Sequence, residues 1–148
     1  MVIYFGADHR GFDLKELLKS YIQSMGSEVV DLGAATKNPD DDYVDFARAV
    51  GERVSRQNDQ ARGILVCGSG AGMDIAANKF RGVRATTGLS ANQVFDARNH
   101  DNINVLSIAA DFTTEEEAKQ MAKIFIETPL SPEPRHARRL EKIAELER

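Results

Sequence analysis

Cysteine occurs once in this 148-residue chain, at position 67. A single thiol excludes an internal disulfide framework and fits a reducing compartment. No apolar run reaches the roughly 20 residues a membrane helix needs, so no membrane partner is expected. The three histidines, His9, His100 and His136, lie far apart and show no ligand spacing. No metal and no cofactor are therefore expected. An excess of positive charge is also missing. The formal net charge is −4, which leaves no electrostatic footprint for a nucleic-acid partner. Of the four prolines, three are crowded at Pro129, Pro132 and Pro134. The opening Met-Val-Ile-Tyr-Phe-Gly reads as a strand and not as a secretory leader. The expected localisation is cytoplasmic. No repeat, linker or low-complexity segment interrupts the chain, and its length predicts one domain spanning 1–148.

What is present is an alternation of short apolar runs and helical patterns. The strands are predicted at Val2–Phe5, Glu28–Leu32, Gly63–Val66, Val83–Thr87 and Ile103–Ile108. Phe12 to Met25 carries apolar residues at helical spacing, and Gly26 closes that helix. Further helices are predicted at Val44–Val54, Met73–Lys79, Ala91–Arg98 and Glu115–Glu127, the last capped by Thr113 or Thr114. This pattern predicts a Rossmann-like three-layer αβα sandwich around a five-stranded parallel sheet. Ligands in such sheets bind at the carboxyl ends of the strands. Asp8-His9-Arg10-Gly11 falls on that rim after the first strand, and Cys67 after the third. His100-Asp101 is expected on a loop before the fifth strand that can fold over the same rim. After the prolines, Arg135 to Arg148 predicts an extra C-terminal helix with a thin apolar stripe. A helix so poorly apolar does not fold as a free appendage. It is expected to pack on a partner subunit, the alternative being that it packs on its own domain.

Residues 62–79 carry the most chemistry. A strand ends in Cys67, the glycines Gly68, Gly70 and Gly72 follow at alternate positions, and a helix begins. A cysteine at a strand end is commonly a small buried hydrophobe. Three alternating glycines exceed what a turn requires, and they let the backbone approach a ligand closely. Loop N–H groups and the helix start can then face an anion or an oxyanion. Neighbouring motifs do not fit. Met73 stands where the dinucleotide fingerprint needs its third glycine, and Gly72-Met73 replaces the Gly-Lys of a P-loop. No arginine closes the loop as in a cysteine-dependent phosphatase. Asp8-His9 reads equally as a helix cap with a surface histidine, and the run Arg135, His136, Arg138, Arg139 as a solvated face. Arg135 and Arg139 nevertheless share one helix face and suit a phosphate.

Taken together, Gly6-Ala7-Asp8-His9-Arg10-Gly11-Phe12, Asp42-Tyr43, Cys67-Gly68-Ser69-Gly70, Ile75-Ala76-Ala77-Asn78-Lys79-Phe80 and Ala97-Arg98-Asn99-His100 make the chain resemble the B-type ribose-5-phosphate isomerases. That family also holds the subunits of galactose-6-phosphate isomerase, and the resemblance covers nearly the whole length. It implies a metal-independent aldose–ketose isomerase of a small-molecule sugar phosphate, a homodimer or homotetramer with active sites between subunits. Ribose 5-phosphate to ribulose 5-phosphate is the first expectation, through an enediolate. The resemblance makes Cys67 the base, Ser69 a mover of the hydroxyl proton and His100 the ring opener. Asp8 and Tyr43 would hold sugar hydroxyls, and His9, Arg135 and Arg139 the phosphate. Gly68, Gly70, Ala71 and Gly72 would face the oxyanion, with Asp101 also at the substrate. A helix N-terminus at Cys67 is expected to lower its pKa.

The chain departs from the family in three places. His100-Asp101-Asn102-Ile103-Asn104 exchanges the usual Asn-Asp order, Val44 replaces a common proline, and Asp111 stands where an arginine just after the fifth strand usually helps bind phosphate. These departures leave two further readings: an isomerase of a different, hexose or non-phosphorylated sugar, or a weakly catalytic sugar-phosphate binding subunit.

Overall fold

A computed structural model describes residues 1–57 and 60–147; Arg148, the last residue of the predicted tail helix, lies outside them. The elements are β1 (Val2–Ala7), α1 (Phe12–Ser24), β2 (Glu28–Asp31), α2 (Tyr43–Gln57), β3 (Ala61–Cys67), α3 (Ala71–Ala77), β4 (Ala85–Thr87), α4 (Ala91–Asp101), β5 (Val105–Ala109), α5 (Glu115–Glu127) and α6 (Pro134–Ala144). The strands form one parallel sheet in the order β2-β1-β3-β5-β4. The expected αβα sandwich is present.

Central β3 shows why the sequence makes three layers. Successive side chains of a strand point to opposite faces. Ile64 and Val66 enter a core with Leu18 and Ile22 of α1, Val94 of α4 and Phe125 of α5. Leu65 and Cys67 enter the other core, with Val50 and Val54 of α2 and Met73 of α3. A strand covered on both faces needs an unbroken apolar run, which is what this segment contains. Gly63 lets α2 lie directly on the sheet, since a Cβ there would stand 2.5 Å from Val50 Cγ1. Thr114 caps α5 in a reciprocal box with Glu117.

Most predicted bounds shift by a few residues, α3 to Ala71–Ala77 and β5 to Val105–Ala109 among them, and two expectations change more informatively. β4 starts at Ala85 and not at Val83, because the Asn104 side chain takes over the pairing before it. Asn104 Oδ1 accepts from Arg84 N (2.8 Å), and its amide donates to Gly82 O (2.7 Å). The larger change concerns His100 and Asp101. They lie in the last turn of α4, not on a loop over the rim. The buried Arg98 side chain holds that turn by donating to Asn102 Oδ1 (2.6 Å) and Ile103 O (2.5 Å). A helix between parallel strands must return the chain to the amino edge of the sheet. The end of α4 is therefore at the edge opposite Cys67.

The tail helix α6 rests on α4 of its own chain. Asn99 Nδ2 donates to Pro129 O (2.9 Å) and Ser131 N to Asn99 O (2.8 Å). His136 is the buried residue of α6, while Ile143 and Leu146 remain exposed.

Candidate active site

The chain leaves β1 toward β2 on one side and β3 on the other. A crevice opens at such a switch point, outside the carboxyl ends of the two strands. A cavity of about 270 Å³ lies there, lined by Asp8, Arg10, Tyr43, Cys67, Gly68, Ser69 and Gly72. Six of the predicted site residues, Asp8, Tyr43, Cys67, Gly68, Ser69 and Gly72, thus meet with Arg10 at the predicted rim.

Each is placed by local backbone chemistry. Asp8 is buried, and its Oδ1 accepts from Arg10 N and Gly11 N, both at 3.0 Å. This turn closes β1 onto β3: a Cβ on Gly11 would run into the Val66 carbonyl. Beyond the paired strands, Ala110 N donates to Cys67 O (2.8 Å) and Asp111 N to Gly68 O (3.1 Å). The β3–β5 ladder so extends into the loop and fixes its first residue. Gly70 adopts φ +76°, a left-handed conformation that suits glycine. Ser107 Oγ, buried within β5, donates to Gly70 O at 2.7 Å and pins the loop from beneath. Gly72 gives room to Tyr43, whose ring carbons would stand 2.6 Å from a Cβ there.

Cys67 is 4% exposed. Burial pushes its thiol pKa up, and the Asp8 carboxylate adds to this. The N–H groups of Gly70, Met73 and Ser69 act in the opposite direction, yet burial prevails. The expected lowered thiol pKa is thus a raised one, because the sulfur sits in the α2–α3 core as well as at the loop. The amides of Ser69 and Gly70 in the loop and of Met73 in α3 are directed at the sulfur itself, where they favour its anion over its thiol.

The remaining predicted residues fall into other groups. His9 faces Asp41, with Nδ1 2.7 Å from Oδ1, and its backbone N–H donates to the same oxygen at 3.0 Å. His100 stacks on His136, with ring centroids 4.5 Å apart and planes inclined by 4°. Burial lowers the pKa of His136, as do His100 and Arg135 nearby. Both nitrogens of that ring are buried without a hydrogen-bond partner among the described residues. Arg135 pairs with Glu133 (2.6 Å), and Arg139 is exposed on the same helix. Asp101 is exposed at the end of α4. His100, His136, Arg135 and Arg139 thus form a second cluster, away from the Cys67 cavity. In the β3–β5 register Cys67 lies opposite Ala109 and Gly63 opposite Val105. His100 precedes Val105, so it is separated from Cys67 by at least the length of that strand pair, roughly 13 Å at 3.3 Å per residue.

Sequence reasoning passed over two residues as site components. Ser107 is a hydroxyl within an apolar strand, a signal that was available. Arg10 stood in the rim motif without a role. In the fold it pairs with Asp111, 101 residues away. Asp111 therefore does not face the cavity as an unpaired carboxylate.

A parallel sheet with a thiol, a carboxylate and a phenol around its switch-point crevice defines a small-molecule enzyme of the α/β class. A family model described as Ribose/Galactose Isomerase matches residues 3–143. The ribose-5-phosphate isomerase B of Mycolicibacterium paratuberculosis is 38% identical, over 100% of this chain and 92% of its own. The ribose-5-phosphate isomerase B of Mycoplasma genitalium, solved with bound ribulose-5-phosphate, superposes with a TM-score of 0.94 at 37% identity, covering 97% of this chain and 94% of the other. The type B ribose 5-phosphate isomerase of Trypanosoma cruzi gives 0.94 at 36% identity, covering 99% and 98%. The chain belongs to the ribose/galactose isomerase family, and it is an aldose–ketose isomerase.

Proposed function

We propose that this protein interconverts ribose 5-phosphate and ribulose 5-phosphate, with Cys67 as the base. The observation that carries the reading is the sulfur at the switch-point cavity, contacted by the N–H groups of Gly70, Met73 and Ser69. The thiolate takes the proton from C2 of the open-chain aldose, leaving a 1,2-enediolate. Its return to C1 gives the ketose. Ser69, exposed on the loop, passes the hydroxyl proton between O1 and O2. The amides of Ala71 and Gly72, at the start of α3, stabilise the enediolate oxygen along with Gly68 of the loop, while the Gly70 N–H, expected there too, serves the sulfur instead. Asp8 and Tyr43 hold sugar hydroxyls, and His9, held by Asp41, faces the phosphate end.

Ring opening needs a second acid–base group within hydrogen-bond reach of the same sugar. His100 of the same chain stands at the opposite edge of the sheet. We therefore assign it to the site of a second copy. In that arrangement one copy supplies Cys67, Ser69, Asp8 and Tyr43, and its partner supplies the cluster around His100 with Arg135 and Arg139 for the phosphate. Asp101 comes to the substrate by the same route. The exposed Ile143 and Leu146 and the unpartnered His136 nitrogens support a covered α6 face. The assembly is a homodimer or a homotetramer of such pairs, working in the cytoplasm and without a metal.

Steady-state assays on ribose 5-phosphate, on hexose 6-phosphates and on free pentoses test the substrate. The proposal expects the highest kcat/KM on ribose 5-phosphate. A higher value on a hexose phosphate or a free sugar would replace it with the second reading.

A further inference from the structure

The Cys67 cavity has a charge problem if its ligand is an anion. Asp8 is buried in its wall, and Asp111 stands beside the loop, its N–H bonded to Gly68 O at 3.1 Å. Arg10 is the cationic side chain among the residues that line it. A Cβ on Gly68 would sit 2.8 Å from Arg10 Cζ and Nε and 2.9 Å from Asp111 Oδ2. The guanidinium and the carboxylate therefore lie together over the residue next to Cys67. Asp111 Oδ2 accepts from Arg10 Nη2. A guanidinium has five N–H donors in a planar fork, so one contact leaves donors for a ligand. At the other end, Arg10 N donates to the Asp8 carboxylate, which fixes where the side chain departs.

The pair has little value as a stabiliser. The Arg10 side chain is 58% exposed and that of Asp111 35%, and ion pairs at such exposure contribute little to folding. What the pair does is hold a guanidinium, otherwise free to rotate, at the mouth of the cavity. A planar fork held in place matches the oxygens of a phosphate.

We infer that Arg10 binds the phosphate of the substrate in the Cys67 cavity, that Asp111 positions it, and that Arg10 sets the preference for a phosphorylated sugar over the free one. This rests on the sugar-phosphate isomerase reading of the cavity. Asp111 is then a positioning residue whose charge is matched within the protein before substrate arrives.

The test compares Arg10→Gln, Arg10→Lys and Asp111→Asn with the parent protein, using ribose 5-phosphate as substrate and inorganic phosphate as competitor. Arg10→Gln is expected to raise KM and the phosphate inhibition constant about ten-fold or more, the loss of a charge-assisted contact. Its kcat should stay within about three-fold, the pattern of lost uniform binding. Arg10→Lys should fall between Arg10→Gln and the parent. Asp111→Asn keeps the guanidinium but loosens its hold, and should raise KM and the phosphate inhibition constant about three-fold, less than Arg10→Gln; no change at all would remove the positioning role of Asp111. An unchanged KM and inhibition constant in Arg10→Gln overturns the inference. Equal losses in Arg10→Gln and Asp111→Asn also overturn it, since they would make the pair a loop clamp. Should the parent protein not turn over ribose 5-phosphate, the isomerase reading fails instead. Calorimetric titration with inorganic phosphate then still decides the role of Arg10, by weaker binding in Arg10→Gln or by none.

Discussion

His100 and His136 stack face to face within one chain, 4.5 Å between centroids, on the side of the fold away from Cys67. α4 and α6 meet through this contact, and the basic residues of α6 are delivered with it. A ring-opening histidine and a proton-abstracting thiol cannot serve one sugar from opposite edges of one sheet. Two copies solve this if each lends its histidine pair to the other.

Complementation follows from that geometry. Cys67→Ala and His100→Ala subunits should each be inactive alone as homo-oligomers. Mixed and refolded together, they should recover activity, since some hybrid sites contain neither lesion. Activity measured on hybrids verified by native mass spectrometry decides it. Verified hybrids with no recovery would place both residues in the site of one chain.

The raised thiol pKa gives a pH dependence of defined sign. Only the thiolate is a base, so kcat/KM should climb with pH and level off above the ordinary thiol range, about 8.5. A profile flat from about pH 6 to 8 would show a thiolate already formed. In the stability of the fold the same shift acts oppositely. The folded state keeps the proton longer, so its contribution is present below the unfolded pKa and is lost as pH rises through the folded one.

Asp31 organises the edge of the sheet beside the site. Burial alone would raise its pKa, but hydrogen bonds from Lys15, Lys19 and Gly33 N–H outweigh this and lower it. Lys15 is fully buried, with Nζ 2.7 Å from Asp31 Oδ2. Asp31→Ala leaves that ammonium without its main partner and should cost roughly 3 kcal/mol in urea unfolding. Acid acts in the same direction: the contribution is present above the unfolded pKa and is lost as pH falls through the lowered folded one. Stability of the variant within about 0.5 kcal/mol of the parent protein would contradict this account.

Gly72→Ala tests the loop without touching a charge. Its methyl would meet the Tyr43 ring at 2.6 Å, and the ring is partly exposed and able to turn away. The expected result is a KM raised about ten-fold with a loss of stability below about 1 kcal/mol, because the substrate contact moves and the core does not. An unchanged KM would remove Tyr43 from the site.

Much of this was legible in the chain. The alternation of Ile64, Leu65, Val66 and Cys67 between two cores follows from strand geometry alone, and the glycines after Cys67 marked the cavity. α5 matched its predicted limits at both ends. The failures were of two physical kinds. His100-Asp101 read as a loop, because the buried Arg98 that holds α4 to Asp101 makes its contacts through space. Asp111 read only as an acid in place of a phosphate-binding arginine, because its partner Arg10 lies 101 residues away and only the β1–β3–β5 order brings the two together. The Cys67 pKa failed for a related reason: a local motif predicts the helix-start contribution but not the burial that outweighs it.

The most direct measurement is the turnover of Cys67→Ala on ribose 5-phosphate, with exchange of the C2 proton followed in deuterated water. The account predicts a folded oligomer that binds substrate with kcat lowered by about 10³ or more and with C2 exchange suppressed equally. A variant that retains near-parental turnover and exchange would contradict it, and the base would have to be sought elsewhere in the cavity.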